Sequence, residues 1–550
     1  MRKLILIVIV LSFFALGSNC RRRNSDAVTV ALPEPFSTLD TLTTAKSDAA
    51  AERVKTLMFN ALVRKDANFD YVGELASDIK TSDDGKTITF TLRDGVKFHN
   101  GKAFTSADVK YTIDQLFQAN GYKAGAFFDT VPDTDTKGPS AAVSVVTPKT
   151  AEPNSANANV AAKPVVKTKR VPHLDGPIET PDTRTVVFKL SRPSLRSTLL
   201  SNLVAIPIIP EGSIGQQKDS PLGSGPFKFV SFDASQNILE LAANTEYWDG
   251  APKLPKLRLK TVPDATSLQA ELQSGGVDIA PNPSNMPPDM IKALGSGNLK
   301  IDKFDGSNIQ YIVFNTQSAP LNNSKVRQAI GYAVDRQKIV TDLLQGQAKL
   351  ASSVLPAESW AYTPGQEYKY DPAKAKQLLA EAGYTGEAIV FKYAAGNAMV
   401  NQYAQAIQAS LNEVGFTIRI ETLEPNVSRQ QQAQGQFQMG TGVWIGGNTD
   451  PIFLRDLFSS TKIPSDTVPC CNRSRYSNPE LDKTVDDAVN AADKAAAKPL
   501  YAKTWEIVSG DLPMFPLWYP ANIVVSNKRI GNIKMSGSGD WVFLKDITAQ

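Results

Sequence analysis

Strands are predicted where apolar and polar residues alternate along the chain. Residues 87–93 read Thr-Ile-Thr-Phe-Thr-Leu-Arg, so every second side chain is apolar, which is the period of a half-buried strand. The following Asp94-Gly95 predicts a tight turn, and residues 96–98 then predict the second strand of a hairpin. Other apolar runs predict strands at residues 28–32, 185–190, 311–314, 389–393 and 417–421.

Helices are predicted between these strands by a period near 3.6 residues. Five apolar residues between positions 326 and 334 follow the spacing i, i+3, i+4, i+7, i+8, which places them on one helical face. Asp371-Pro372 and Gly383 bound another helix, as an N-cap, a proline at the first position and a glycine just past the end. Residues 47–58 predict a third helix, with Ser47 as its N-cap. Strands separated by helices predict α/β lobes.

The first 27 residues predict export. A basic start, an apolar run over residues 4–16 and small or polar residues before Cys20 are typical of a signal peptide at 1–19. The run has 13 residues, fewer than the roughly 20 that span a bilayer. The cysteine directly after it resembles the lipid-modified residue of bacterial lipoproteins, with residues 20–27 as a tether. The alternative is an ordinary secreted protein.

Residues 133–172 have a different composition from the rest of the chain. They contain no aromatic residue, no Leu, Ile or Met, and five prolines. Such a segment buries too little apolar surface to offset the entropy lost on ordering. We therefore expect a disordered surface insertion.

Composition favours binding over catalysis. The net charge is +4, and Arg2 and Lys3 of the leader supply two of those charges, so no basic field points to nucleic acid. Three cysteines and two histidines are too few for most metal and triad chemistry, and we expect neither a cofactor nor a metal. The adjacent Cys470 and Cys471 predict either a vicinal disulfide or two thiols that are free or paired with another chain.

A series of short motifs between residues 29 and 542 together indicates one protein family. Their order and spacing resemble the extracytoplasmic solute-binding proteins of peptide and nickel ABC importers. The segments that carry the resemblance, outside the insertion, are 37–40, 74–76, 84–101, 105–109, 221–227, 247–250, 277–279, 314–315, 326–329, 335–336, 370–375, 478–482 and 513–517.

The resemblance implies an α/β fold of two hinged lobes, with an extra domain inserted in the first. We expect the first lobe at 28–60, 178–310 and 515–550, the extra domain at 61–177 and the second lobe at 311–514. The two strands that connect the lobes are expected near 311–315 and 515–519.

The resemblance also implies the function. We expect a monomer that captures a peptide or similar small solute between its lobes and delivers it to permease subunits driven by cytoplasmic ATPases. A lipid on Cys20 would hold it at a bacterial membrane, in the periplasm or at the cell surface. The alternatives from other classes are a cell-envelope hydrolase and a peptide-holding chaperone or interaction lipoprotein.

The resemblance finally suggests where the ligand binds. Counting from Trp444, the family's aspartate for a peptide α-amino group falls on Gly447, while Asp450 matches a later Asp-Pro pair that is more often structural. The stretch 393–397 likewise has no cation for a ligand carboxylate. Trp444 is expected either as an apolar wall of the pocket or as part of the core. The candidate ligand-binding residues are Phe36, Leu39, Asp40, Tyr393, Trp444, Ile445, Gly446, Gly447, Asn448 and Asp450.

Overall fold

The computed structural model describes residues 27–46, 48–132, 168–446, 449–465, 471–491 and 493–550. The strands are β1 Ala27–Leu32, β2 Val63–Lys65, β3 Tyr71–Gly73, β4 Ala76–Thr81, β5 Thr87–Leu92, β6 Phe128–Pro132, β7 Thr168–Pro172, β8 Glu179–Asp182, β9 Thr185–Lys189, β10 Phe227–Asp233, β11 Ile238–Ala243, β12 Lys256–Thr261, β13 Ile279–Pro281, β14 Leu299–Phe304, β15 Ile309–Phe314, β16 Ala348–Leu350, β17 Ala388–Ala394, β18 Thr417–Leu423, β19 Met439–Trp444, β20 Met514–Pro520, β21 Asn522–Asn527, β22 Ile530–Gly531 and β23 Thr548–Ala549.

The longer helices are α1 Ala49–Met58, α2 Ser106–Ala119, α3 Arg196–Val204, α4 Ala265–Ser274, α5 Pro288–Ala293, α6 Ser324–Ala333, α7 Pro372–Ala382, α8 Ala398–Glu413, α9 Pro425–Gln434, α10 Phe453–Phe458, α11 Pro479–Val489 and α12 Lys494–Asp511. Short helical turns lie at Tyr122–Phe127, Pro193–Leu195, Ile214–Gln216, Arg336–Lys338, Ile339–Leu343, Ser460–Lys462 and Val542–Lys545.

Two large sheets define two lobes. Within the described part of the chain, the first lobe has a seven-stranded sheet in the order β10-β11-β12-β1-β13-β21-β14. The second has a six-stranded sheet in the order β16-β20-β15-β19-β17-β18. Parallel pairs such as β1 with β12 and β17 with β18 sit beside antiparallel pairs in these sheets. The predicted two-lobed α/β architecture is confirmed.

Helix boundaries follow the predicted capping signals. The Asp371 side chain accepts a hydrogen bond from Lys374 N, Pro372 opens α7, and Gly383 ends it in the left-handed conformation. The predicted apolar face is buried: it consists of Val326, Ala329, Ile330 and Ala333 of α6 and of Val334 just past its end. In α1 the cap is Asp48, which accepts from Ala51 N; the predicted cap Ser47 lies outside the described residues.

A four-stranded sheet in the order β4-β5-β9-β8 accompanies the first lobe. Strand β5 pairs with β4 on one side and with β9 on the other. The predicted hairpin between β5 and residues 96–98 is therefore wrong, because both edges of β5 already have partners. The expected domain boundary after residue 177 is also wrong, since it would separate β8 and β9 from β5 in one hydrogen-bonded sheet.

The hydrophobic cores explain how these layers stay together. One continuous core contains Val30 and Leu32 of β1 as well as Phe90 of β5 and Phe188 of β9. The second lobe has a core on each face of its sheet, because alternate residues of β15 point to opposite sides. Ile312 belongs to one of these cores and Val313 to the other.

The chain passes between the lobes at residues 305–308 and at Ala521. Strands β14 and β21 belong to the first sheet, whereas β15 and β20 belong to the second. The crossings predicted near 311–315 and 515–519 thus lie two to three residues outside those runs, and residues 515–520 belong to the second lobe. Those apolar runs are buried strands of the second sheet, so their hydrophobicity reflects core packing and not passage between lobes.

Strand β7 corrects the far end of the predicted insertion. Residues Thr168–Pro172 pair with Phe128–Pro132 in an antiparallel ribbon, although they were expected to be disordered. Main-chain pairing with β6 orders a segment that has little apolar surface of its own. Residues 133–167 lie outside the described part of the chain.

Candidate ligand-binding site

The candidate site centres on the carboxyl end of β19. This strand pairs with β15 along its whole length, from Met439 opposite Phe314 to Trp444 opposite Ile309. On its other side, its register with β17 covers only Met439 and Gly440. The last part of β19 therefore extends beyond the end of that pairing.

The direction of the main-chain groups follows from one hydrogen bond. Asn315 N donates to Gln438 O at 2.8 Å. In an antiparallel pair, bonded and non-bonded positions alternate, so Gly442 and Trp444 exchange hydrogen bonds with β15. The N–H and C=O groups of Val443 consequently point to the opposite side of the strand, past the end of the β17 pairing.

Two aromatic side chains support this strand from one face. A Cβ on Gly442 would lie 2.9 Å from the Tyr311 hydroxyl, so glycine lets that tyrosine pack beneath the strand. The Trp444 ring packs on Phe453 with centroids 4.7 Å apart, and the Arg473 guanidinium lies 5.9 Å from the centre of the indole. Trp444 is half-buried, so it contributes to the core and also presents surface.

The described residues that follow β19 are held by hydrogen bonds. Ile445 is 72% exposed. Gly446 has a φ of 75°, and its N–H donates to Asn308 Oδ1 at 3.2 Å, in the first segment that crosses between the lobes. The Thr449 hydroxyl donates to Gly446 O at 2.8 Å. Gly447 and Asn448 lie outside the described residues, so the absence of an amine anchor at Gly447 stays a prediction.

Asp450 contacts the other half of the molecule. One carboxylate oxygen accepts a hydrogen bond from Ile452 N at 3.0 Å, and the other accepts from the Tyr71 hydroxyl. Lys65 Nζ donates to the neighbouring Thr449 hydroxyl at 2.5 Å. Both oxygens of Asp450 are thus already engaged within the protein.

Burial shapes the electrostatics of this contact. Desolvation lowers the pKa of the Lys65 ammonium, while the carboxylates of Asp450 and Asp70 act in the opposite direction. Desolvation and the neighbouring Asp450 both raise the pKa of the Tyr71 hydroxyl well above its ordinary value. Tyr71 therefore stays protonated, and its hydroxyl donates a hydrogen bond to Asp450.

The candidates in the first lobe lie on the loop after β1. Phe36 packs against Phe232 with ring centroids 4.8 Å apart, and Leu39 is part of the core. Asp40 holds the loop in shape, since its carboxylate accepts from Leu42 N at 2.9 Å and Thr43 N at 3.0 Å. Because β1 runs parallel to β12 and β13, this loop lies at the carboxyl edge of those strands, where open α/β sheets bind ligands.

Tyr393, the remaining candidate, lies inside the second lobe. It is only 3% exposed and packs edge-on against Phe391 within one core. The structure in turn adds Lys65, Tyr71 and Arg473, none of which the sequence pattern singled out. Tyr71 and Asp450 are 379 positions apart, and no local motif links them.

The described residues contain no cluster of three or more His, Cys, Asp or Glu side chains that would hold a metal ion. Within the same residues, no helix is both long and apolar enough to cross a membrane. Both histidines lie in the part of the chain around the four-stranded sheet. His99 Nε2 is 3.0 Å from Gly225 O, and His173 Nε2 is 3.3 Å from Asp129 Oδ1.

Comparison with known proteins identifies the family to which this chain belongs. The sequence profile of the bacterial extracellular solute-binding proteins, family 5 (middle), matches residues 70–465. The chain belongs to this family. It is therefore the solute-binding component of an ABC importer, acts outside the cytoplasm and is not an enzyme, as the sequence predicts. The hydrolase and chaperone alternatives are not supported.

Individual relatives cover most of the chain. Heme-binding protein A of Haemophilus influenzae is 30% identical over 502 residues, covering 88% of this chain and 85% of that protein. The probable D,D-dipeptide-binding periplasmic protein DdpA of Escherichia coli is 26% identical over 488 residues, covering 86% and 84%. Among solved structures, the oligopeptide-binding protein AppA of Bacillus subtilis in complex with a nonapeptide matches with a TM-score of 0.69 and 22% identity, covering 95% of this chain and 99% of that chain.

Proposed function

We propose that this protein captures an extended peptide whose main chain pairs with the open edge of β19. The observation that carries the proposal is the direction of the Val443 main-chain groups, which face away from β15 beyond the end of the β17 pairing. An exposed strand edge is a ready partner for an added peptide strand. Such pairing uses groups common to all peptides and needs no charged anchor for either terminus.

The surroundings of this edge suit varied peptide side chains. Val443 and Ile445 are exposed apolar residues on either side of Trp444. The indole offers a flat surface, and Arg473 next to it supplies a cation. Gly446, with no side chain and a positive φ, lets a ligand main chain approach closely. The site thus favours a peptide backbone and is permissive toward its side chains.

Two of these relatives support a peptide ligand, but of different lengths. The Escherichia coli relative is named for D,D-dipeptides, and the Bacillus subtilis structure holds a nonapeptide. The Haemophilus influenzae relative is named for heme. The first experiment must therefore also be able to detect a bound solute that is not a peptide.

That experiment is mass spectrometry of the intact protein purified without denaturation. We expect additional masses that match peptides, that disappear on unfolding and that leave no cleavage product. A bound mass that no peptide composition explains would replace the peptide with another solute. Turnover of a bound peptide would contradict a role in binding alone.

A pair of variants tests the main-chain contact. Val443→Pro removes the N–H on the open edge, whereas Val443→Ala keeps it and shortens the same exposed side chain. We expect the proline variant to bind the co-purifying peptide at least about tenfold more weakly than the alanine variant, with similar melting temperatures. Equal affinities in calorimetry would show that the peptide does not pair with this edge.

The membrane anchor is the second part of the proposal. The signal peptide, residues 1–19, would be removed on export. A lipid on Cys20 would then hold the mature monomer next to its permease. Both segments lie outside the described residues. Labelling with palmitate is expected in the wild type and absent in Cys20→Ala. Label that persists in that variant, or its absence from the wild type, would contradict the anchor.

The adjacent cysteines form the third part. Cys471 is disulfide-bonded, and Cys470 lies outside the described residues. We propose the vicinal pairing of the two. Alkylation without prior reduction should leave both thiols unmodified, and modification of either would exclude this bond.

A further inference from the structure

The hairpin of β2 and β3, residues 63–73, contacts the second lobe at residues 449 and 450. Together with residues 445 and 446 of the proposed site, these form what we call the ligand-binding turn. Lys65 Nζ donates to Thr449 Oγ1 at 2.5 Å, and that hydroxyl donates to Gly446 O at 2.8 Å. A chain of two hydrogen bonds therefore runs from the hairpin to the glycine beside the open edge of β19. Thr449 itself is buried, so this relay is shielded from water.

A second contact from the same hairpin fixes the other end of the turn. The Tyr71 hydroxyl donates to one oxygen of Asp450, whose other oxygen accepts from Ile452 N at 3.0 Å. Asp450 is only 8% exposed. A buried carboxylate without its donors would be costly, so Asp450 favours the arrangement in which Tyr71 reaches it.

A third contact lies at the tip of the hairpin. Asp70 forms an ion pair with Lys494, the first residue of α12. The Lys494 ammonium also lies 5.5 Å from the centre of the Trp360 ring. This pair is more exposed than the Asp450 contact, so we expect it to contribute less.

The surroundings show that this interface is polar. Next to it, the two halves of the molecule line a cleft of about 290 Å³, with Asp129, His173 and Arg192 on one side and Arg455, Asp456 and Lys462 on the other. Charged walls regain water readily when such halves separate, whereas a packed apolar interface would not. The contact is therefore suited to opening and closing.

We propose that Tyr71, Lys65 and Asp450 form a latch that holds the lobes closed and positions the ligand-binding turn. The expected effect of the latch on peptide affinity rests on the proposed function. Its expected effect on the unliganded protein does not. All three are positioning residues: Lys65 reaches Gly446 through Thr449, whereas Tyr71 and Asp450 hold the main chain at Ile452. The latch supplies a fixed part of the free energy of closure, whatever peptide is bound.

That role has a distinctive consequence for affinity. When only the closed form binds well, apparent affinity falls in proportion to the closed fraction. Loss of the latch should therefore weaken different ligands by the same factor. Loss of a residue that touches the ligand should instead weaken different ligands by different factors.

The test compares Tyr71→Phe and Asp450→Asn with two matched controls. Tyr122→Phe removes a hydroxyl from an exposed tyrosine in the same half of the molecule. Asp487→Asn removes a carboxylate from an exposed pair with Lys483. Small-angle scattering and hydrogen exchange are measured on the unliganded proteins, and calorimetry uses the tripeptides Ala-Phe-Ala and Lys-Ala-Glu.

We expect both latch variants to increase the radius of gyration of the unliganded protein and to speed exchange at the amide of Ile452. Both tripeptides should bind about tenfold more weakly, by a common factor, and the double variant should lose little more than either single one. The controls should match the wild type.

The latch would be overturned if scattering and exchange of the unliganded variants equal those of the wild type. It would also be overturned if the two tripeptides lose affinity by factors that differ severalfold. If the wild type binds neither tripeptide, the peptide proposal is weakened while scattering and exchange still decide the latch. Failure of the two proposals is thus distinguishable.

Discussion

Two of the contacts between the described parts of the lobes are built differently. At the crossing segments, a Cβ on Gly306 would lie 2.0 Å from Pro520 O, and Ser307 N donates to Gly537 O at 2.9 Å. At the latch, the contacts run between side chains, from Lys65 to Thr449 and from Tyr71 to Asp450. Main-chain segments packed this closely cannot separate without local unfolding, whereas polar side chains can exchange one another for water. We therefore expect the first place to act as the pivot and the second as the moving end.

The largest expected effect is at the pivot. Gly306→Ala places a methyl group against Pro520 O, so we expect the free energy of unfolding to fall by about 3 kcal/mol. Urea denaturation measures it. Gly215→Ala is the control, because a Cβ there meets nothing within 4 Å. Similar stability of the two variants would show that the crossing segments have room to move.

Tyr71→Phe should behave in the opposite way. It removes one hydrogen bond, and the side chains of the latch can regain water when the lobes open, so we expect a loss of about 1.5 kcal/mol of stability or less. Its effect on the shape of the unliganded protein should exceed that of Gly306→Ala. A large loss of stability without a change in scattering would mean that the latch is a structural contact like the pivot.

Deletion within the predicted insertion should affect neither the crossing segments nor the latch. The ribbon of β6 and β7 requires that Thr168 and Lys169 be kept, so the suitable deletion is 136–165. We expect the free energy of unfolding to change by less than about 0.5 kcal/mol, because the deleted sequence has little apolar surface. Altered peptide affinity or scattering would assign this segment a part in closure.

The smallest expected effect on affinity is that of removing the charge at the amino terminus of the peptide ligand. Asp450 accepts hydrogen bonds from Tyr71 and Ile452, and the family's amine anchor is predicted to fall on Gly447. A peptide and its N-acetylated form should therefore bind within about twofold of each other in calorimetry, or the acetylated form should bind better. A tenfold preference for the free amine would mean that Asp450 leaves the latch to bind the ligand.

The sequence by itself determined the local elements whose signals are short-range. The alternation over residues 87–93 gave β5, and Asp371, Pro372 and Gly383 set both ends of α7. These signals are reliable because capping bonds and side-chain alternation involve residues only a few positions apart. The motifs in series also identified the family and its two-lobed fold.

Only the tertiary structure decided where those elements meet. Apolar runs at 311–314 and 515–519 predict burial, but periodicity does not say in which sheet a strand is buried. Tyr71 and Asp450 meet across 379 positions, and although the sequence marked Asp450 as a candidate, no pattern linked it to Tyr71. The pivot and the latch arise from the packing of two lobes against each other, and that packing depends on partners that no local pattern encodes.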